Sequence, residues 1–307
     1  MLDMDAGERT VDMSRLSAAM ADCAARVDAA FDALLPVPTD ARAPLYEAMR
    51  HAAIGGGKRL RPLLVEASAR LFAVDRDCAM RAGLAVEAIH VYSLIHDDLP
   101  AMDDDDVRRG KPTVHKAFDE ATAILAGDAL HAFAFEILTE SDTHADPFVR
   151  CELVTELARA AGPSGMAGGQ VMDLAAEQLS FDLATVTRLQ QMKTGALISW
   201  CLEAGAILGR VPPEGRAPLR GYARDIGLAF QIVDDLIDVE GDAAVAGKAV
   251  GKDAAAGKET FVSLMGVDRA RQQAQALTDQ AIAHLEGFGE EADLLRDIAR
   301  YIVARDH

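Results

Sequence analysis

The stretch GLAVEAIHVYSLIHDDLPAMDDDD, residues 83–106, decides how the rest of this chain reads. It begins as an apolar run, Gly83 to Ile95, broken by Glu87 and His90, and ends in Asp97-Asp98-Leu99-Pro100-Ala101-Met102-Asp103. A second cluster, Asp234-Asp235-Leu236-Ile237-Asp238, closes another apolar run with helical spacing. Carboxylates at the end of an apolar helix are costly unless something neutralises them. Clustered without bases beside them, they suit a hard cation, above all Mg²⁺ shared with a phosphate. Bases follow each cluster: Arg108, Arg109 and Lys111 after the first, Lys248, Lys252 and Lys258 after the second. One such cluster reads equally well as a solvated acidic cap; two on apolar helices point to diphosphate chemistry.

Outward from these clusters the helical period is nearly continuous. Leu16, Met20, Cys23, Val27 and Phe31 recur at three- and four-residue spacing before Leu35-Pro36-Val37-Pro38 stops them. Further helices are predicted over roughly 44–53, 62–73, 79–99, 120–139, 147–161, 182–209, 216–240, 268–286 and 291–304. The breaks are short, as at Gly55-Gly56-Gly57, Gly162-Pro163-Ser164-Gly165, Gly209 to Pro213 and Gly241 to Gly257. No alternating strand, heptad run or 20–50-residue repeat is present. The expected fold is all-α, one domain over residues 1–307 with about ten helices, inside which the clusters meet.

Half the residues are hydrophobic and 5% aromatic, a balance that favours helix over strand. The net charge of −18, from 49 acidic and 31 basic residues, repels nucleic acid and anionic membrane over most of the surface. Any anionic substrate must be captured locally. Cys23, Cys78, Cys151 and Cys201 are scattered without CxxC spacing and read as reduced thiols, not a zinc site. The acidic start, Met1-Leu2-Asp3-Met4-Asp5, lacks the order of a secretory signal, and no run of about 20 uncharged apolar residues suggests a membrane span. The expectation is a soluble, cytoplasmic protein.

In the second cluster, ~100° per residue puts Gln231, Asp234 and Asp238 within about 60° of one another, beside a separate apolar stripe of Ile226, Val233 and Ile237. In the first, six residues amount to ~600°, which leaves Asp97 and Asp103 about 120° apart on a regular helix. Pro100 cannot continue the ladder, so a local bulge is expected to bring Asp103 back towards Asp97. His90 and Ser93 precede Asp97 on the same face. A separate anion loop is suggested by Gly55-Gly56-Gly57-Lys58-Arg59-Leu60-Arg61-Pro62, with Lys58 and Arg61 facing its mouth and Pro62 in the next helix's first turn. It lacks the Walker A spacing. Gly168-Gly169-Gln170 with Asp173, and Met192-Lys193-Thr194-Gly195, place polar groups on apolar helices; Lys193 alone reads as a snorkelling surface lysine. Asp103 to Asp106 fail as an EF-hand, and His51, His115, His131 and His144 have no ligand or triad spacing.

Taken in order, these segments resemble the trans-isoprenyl diphosphate synthase (polyprenyl synthetase) family, in its bacterial farnesyl diphosphate synthase form. The matching residues run from Gly56-Gly57-Lys58-Arg59-Leu60-Arg61-Pro62 through His96-Asp97-Asp98-Leu99-Pro100-Ala101-Met102-Asp103 and Arg108-Arg109-Gly110. They continue through Gly168-Gly169-Gln170, Lys193-Thr194-Gly195-Ala196-Leu197, Phe230-Gln231, Asp234-Asp235 with Asp238, Gly247-Lys248 and Gly257-Lys258. One departure is Gln190-Gln191-Met192, where many relatives carry histidines before the lysine-threonine pair.

The resemblance implies the isoprenoid synthase fold, a helical bundle around a central apolar cavity, and head-to-tail condensation of dimethylallyl or geranyl diphosphate with isopentenyl diphosphate. It implies that Asp97 and Asp103 hold two Mg²⁺ and Asp234 a third, with Mn²⁺ able to substitute, and that Asp98 and Asp238 act through water or hydrogen bonds. Arg108, Lys193 and Lys248 would surround the allylic leaving group, with Lys193 catalytic beside the three aspartates and Lys258 a further substrate-binding residue. Lys58, Arg61, His90 and Arg109 would form a metal-free site for the second substrate, while Thr194, the Lys193 carbonyl and Gln231 face the allylic cation. Tyr92 and Ser93, the fifth and fourth residues before Asp97, would form the tunnel floor. The large Tyr92 with the Pro100-Ala101 insertion implies a fifteen-carbon product, ahead of geranylgeranyl or geranyl diphosphate. A class I terpene cyclase has no need of the second diphosphate site, and a non-catalytic subunit would have lost aspartates that this chain keeps. Relatives of this kind form homodimers, and the same is expected here.

Overall fold

A computed structural model describes residues 12–240 and 258–304, and about three quarters of these are helical. In chain order they form α1 (Met13–Leu34), α2 (Ala43–Ala53), α3 (Leu60–Arg70) and α4 (Arg76–Asp97), then α5 (Val114–Ala117), α6 (Glu120–Thr139), α7 (Pro147–Ala161) and α8 (Met166–Ala175). There follow α9 (Leu183–Gln190), α10 (Ala196–Leu208), α11 (Ala217–Glu240), α12 (Phe261–Met265), α13 (Val267–His284) and α14 (Asp293–Ala304). Aspartates start many of them: the side chains of Asp12, Asp75, Asp119, Asp146 and Asp182 accept first-turn backbone N–H groups at α1, α4, α6, α7 and α9. A share of the acidic residues is thus used as caps.

Helix α4 runs through the middle. Eight consecutive residues, Ala82 to Ile89, are buried, so the helix has no solvent face there, and it packs on α3, α6 and α10. By length and composition α4 and α6 could each cross a membrane. In the structure α4 and α6 pack along each other, the middle of α4 is buried, and Glu87 of α4 is neutralised by an ion pair. On the other side, α11 lies against α10 and α13. The two aspartate clusters lie at the carboxyl ends of α4 and α11.

Three features depart from the sequence reading. The helix expected over 182–209 is interrupted by a π-helical turn, Gln191–Gly195, between α9 and α10. Helices α5, α8 and α12 are short pieces that a hydrophobic period does not announce. There is also strand: Val107–Arg108 (β1) pairs antiparallel with Lys111–Pro112 (β2). Both loop residues of this hairpin, Arg109 and Gly110, have positive φ, as a two-residue turn matched to strand twist requires. Two residues per strand are too few for alternation to show.

Candidate active site

The bulge expected at the first aspartate cluster is present in the backbone. Asp98 ends α4, Leu99 N–H turns back to the His96 carbonyl, and Asp103 N–H donates to the Asp97 carbonyl at 2.8 Å. Six residues of separation thus collapse into one closed loop, and Asp103 sits over the end of the helix beside Asp97. Asp97 is half-buried and accepts from Gln170 Nε2 at 2.9 Å; Asp103 is exposed. Burial, with the neighbouring Asp103 charge, pushes the Asp97 carboxyl up to about 6, although Lys193 draws it down. A site with this balance is short of positive charge.

In both clusters the middle aspartate is structural. Asp98 is buried, accepts from Arg108 Nε and so fixes that guanidinium, which also reaches Asp105 at 3.5 Å. Asp235 is buried and accepts the Phe261 N–H at 2.8 Å, which anchors α12. Asp234, Asp238 and Gln231 lie half-buried on the remaining face of α11. Gly227 shares that face, and a Cβ there would stand 3.4 Å from Gly195 Cα, so α11 packs against the π turn at this point.

That turn is where Lys193 and Thr194 lie, both half-buried. Inserted π turns re-aim side chains that a regular helix would send elsewhere. Here Lys193 Nζ donates to Asp173 Oδ2 at 2.8 Å, and Lys258 Nζ donates to the same oxygen at 3.0 Å. Burial alone would raise the Asp173 carboxyl, but the two lysines outweigh it and hold it low. Lys193 is therefore a paired, inward residue and not a snorkelling one. A Cβ on Gly169 would collide with the Lys193 backbone, so only glycine lets α8 lie this close to the turn. Helix α8 consequently carries both Gln170, which meets the first cluster, and Asp173, which meets the lysines.

The basic loop is a second assembly. Gly55 and Gly57 have positive φ, and Arg59 between Lys58 and Arg61 is itself left-handed at φ 49. The glycines make room for a side chain. A Cβ on Gly57 would stand 2.5 Å from Arg109 Cζ, and Arg109 Nη1 donates to the Gly56 carbonyl at 3.3 Å. Arg109 Nη2 lies 3.3 Å from His90 Nε2; a guanidinium only donates, so that nitrogen accepts. Burial, then Arg61 and Arg109, hold His90 well below the usual imidazole range, and it is neutral. Arg61 is half-buried with a buried Nε that has no hydrogen-bond partner. Lys58 is exposed, with Nζ 5.9 Å from the Tyr301 ring of α14. Lys111 donates to the Ile54 carbonyl at 2.8 Å and ties the hairpin to the loop.

Tyr92 lies between α4 and α6, its ring edge-on to His96 at 5.8 Å and His131 at 4.9 Å. Ser93 donates to the His90 carbonyl. His115, an ordinary residue on spacing alone, offers a ring nitrogen within 4.8 Å of carboxylate oxygens of Asp104 and Asp106, an Asp-rich group able to hold a metal ion. Lys248, with Lys252 and Gly247, lies outside the described residues. Sequence reasoning under-used Gln170 and Asp173, whose signal was polar side chains beside a glycine pair, and Arg59, whose signal was an arginine in a glycine-initiated turn.

A sequence model described as polyprenyl synthetase matches residues 42–301. The chain belongs to the polyprenyl synthetase family. It is an enzyme of the trans-prenyltransferase class. It is 45% identical over 278 residues to farnesyl diphosphate synthase of Escherichia coli (strain K12), covering 89% of this chain and 93% of that protein. It is 46% identical to geranylgeranyl pyrophosphate synthase 11, chloroplastic, of Arabidopsis thaliana, covering 88% of this chain and 77% of that one. Among solved structures, an apo FPP/GFPP synthase from Zymomonas mobilis superposes with a TM-score of 0.88 at 61% identity, covering 94% of this chain and 99% of that chain.

Proposed function

We propose that this chain, acting over residues 1–307 as one domain, condenses dimethylallyl or geranyl diphosphate with isopentenyl diphosphate and releases farnesyl diphosphate. The observation that carries the reading is the coexistence of two unlike anion sites: an aspartate cage poor in positive charge, and a separate arginine-histidine pocket with an unpartnered guanidinium nitrogen. Two diphosphates enter this reaction and only one ionises.

Asp97, Asp103 and Asp234 offer oxygen ligands only, the donor set of Mg²⁺, and would hold three such ions, with Mn²⁺ a workable substitute. Bound there, the metal supplies the positive charge against which the allylic diphosphate becomes a leaving group. Lys193 and Lys258, held by Asp173, and Arg108, held by Asp98, orient that diphosphate and gain strength as its negative charge grows. Lys248 is assigned to the same group. Lys58, Arg61 and Arg109 bind the isopentenyl diphosphate, with neutral His90 accepting from Arg109 and keeping the guanidinium aimed. Thr194, the Lys193 carbonyl and Gln231 present oxygen dipoles to the allylic cation. The departing pyrophosphate takes the last proton, so no protein base is required.

Tyr92, flanked by His96 and His131, closes the tunnel at fifteen carbons, with Ser93 beside it. The relatives' names include C20 synthases, so product length is the finer question. Helix α6 presents an apolar outer face, with Ile124 46% and Leu125 57% exposed, and this supports a homodimer built on it. The cytoplasm is the compartment that fits four reduced cysteines, of which none is disulfide-bonded.

The test is direct. Purified protein is incubated with Mg²⁺, isopentenyl diphosphate and geranyl diphosphate, and pyrophosphate release and product mass are followed. A C15 diphosphate is expected. A C20 product would overturn the length assignment, and pyrophosphate release with a cyclic hydrocarbon would overturn the reaction.

A further inference from the structure

Arg59 belongs to neither anion site, yet it is the most enclosed cation of the basic loop. It is 2% exposed, while Lys58 on one side is exposed and Arg61 on the other is half-buried. Its left-handed backbone turns the side chain into the protein, where the guanidinium meets three acceptors. These are Glu87 Oε1 at 2.8 Å, Asp28 Oδ1 at 2.7 Å and the Ala53 carbonyl at 2.5 Å. The other Asp28 oxygen accepts the Gly55 N–H at 3.1 Å. One carboxylate from α1 therefore clasps both ends of the loop, and one carbonyl at the end of α2 completes the ring around Arg59.

Glu87 is 1% exposed and lies one helical turn before His90 on α4. The Arg59–Glu87 pair thus joins the loop that carries Lys58 and Arg61 to the helix that carries His90. Among the described residues, neither Arg61 nor Arg109 has a carboxylate within ion-pair distance. Burial disfavours the charged form of both and the Glu87 charge favours it, while at Arg109 the neighbouring Arg59, Arg108 and Arg61 charges add to the penalty. A cluster of like charges must be held before its anion arrives, and a fork with three fixed acceptors is suited to that.

We propose that Arg59 is a positioning residue of the isopentenyl diphosphate site, and that its buried pair with Glu87 pre-assembles Lys58, Arg61 and His90 for the diphosphate that does not ionise. This rests on the assignment of that site made above. Arg59→Lys is the informative variant, because it keeps the charge and loses the three-way fork. The KM for isopentenyl diphosphate is expected to rise by about tenfold or more, with kcat at saturation and the KM for geranyl diphosphate within about threefold of the parent. The paired replacement Arg59→Met with Glu87→Met removes both buried charges together, which protects the fold. It is expected to give the same selective rise with a melting temperature close to the parent's.

An unchanged KM in either variant overturns the proposal. So does a non-selective change, with kcat falling and both KM values rising alike as the melting temperature drops, the mark of a merely structural role. Arg61→Ala runs beside them. If it raises the KM for isopentenyl diphosphate while the Arg59 variants do not, only the positioning role fails. If Arg61→Ala leaves that KM unchanged, the site assignment fails and this inference with it.

Discussion

At the scale of single residues, the site runs on carboxylates whose cost is visible. Asp97 has its carboxyl raised to about 6 by burial and by Asp103. A carboxyl raised in the folded state binds its proton more tightly there than in the unfolded chain, so ionised Asp97 destabilises metal-free protein above about pH 6. The penalty fades as pH falls through that value and is gone below the unfolded carboxyl range. Asp97→Asn keeps the acceptor for Gln170 and removes the charge. In EDTA its melting temperature should exceed the parent's at pH 8 and match it near pH 4, read by thermal melts at both. Its kcat should fall by roughly 10²–10³-fold, as expected for loss of one group that stabilises developing charge. Equal melting curves at pH 8 would show that the carboxylate carries no such strain. Tyr92 poses the other residue-scale question. Tyr92→Ala should shift the product from C15 to C20 and beyond, since each methylene buried in the opened space gains roughly 0.8 kcal/mol. Product mass decides, and a variant that still stops at C15 with full activity places the floor elsewhere.

At the scale of elements, the contact of α8 with the π turn sets the position of Lys193. Gly169→Ala puts a methyl into the Lys193 backbone, and α8 must move away. A stability loss of about 1–3 kcal/mol is expected, together with a drop in kcat and little change in the KM for isopentenyl diphosphate, because the basic loop is untouched. Denaturant melts and steady-state kinetics on both substrates check it. Gly168→Ala is a weaker control for kinetics, since its own clash includes the Pro163 carbonyl and not the Lys193 backbone.

For the whole molecule, the aspartate cage and the paired lysines belong to separate segments of the chain that a bound diphosphate would cross-link. Mg²⁺ with inorganic pyrophosphate should therefore raise the melting temperature by roughly 5 °C, while either alone should do much less. The synergy should vanish in Asp103→Ala. The outer face of α6 makes the other whole-molecule prediction. Leu125→Arg should convert a dimer into monomers by sedimentation velocity without changing the far-UV CD spectrum, whereas a parent that sediments as a monomer would remove the dimer from the proposal.

What the sequence by itself determined was local and chemical. Spacing of apolar residues is a covalent property of the chain, so α2, α6, α7 and α11 were legible within a residue or two. The return of Asp103 to Asp97 was legible too, because Pro100 makes a continuous ladder impossible whatever surrounds it. The ordered motifs carried the family. What only the tertiary structure decided was which charges meet. That Asp173 holds Lys193 and Lys258, that Asp98 fixes Arg108, and that Arg59 is pinned by Glu87 and Asp28 all join residues far apart in sequence. Short elements were equally hidden: a two-residue strand has no period, and a π turn adds one residue without altering composition. Helix formation is dictated by neighbours along the chain, but the pairing of buried charges is dictated by neighbours across it, and only packing brings those together.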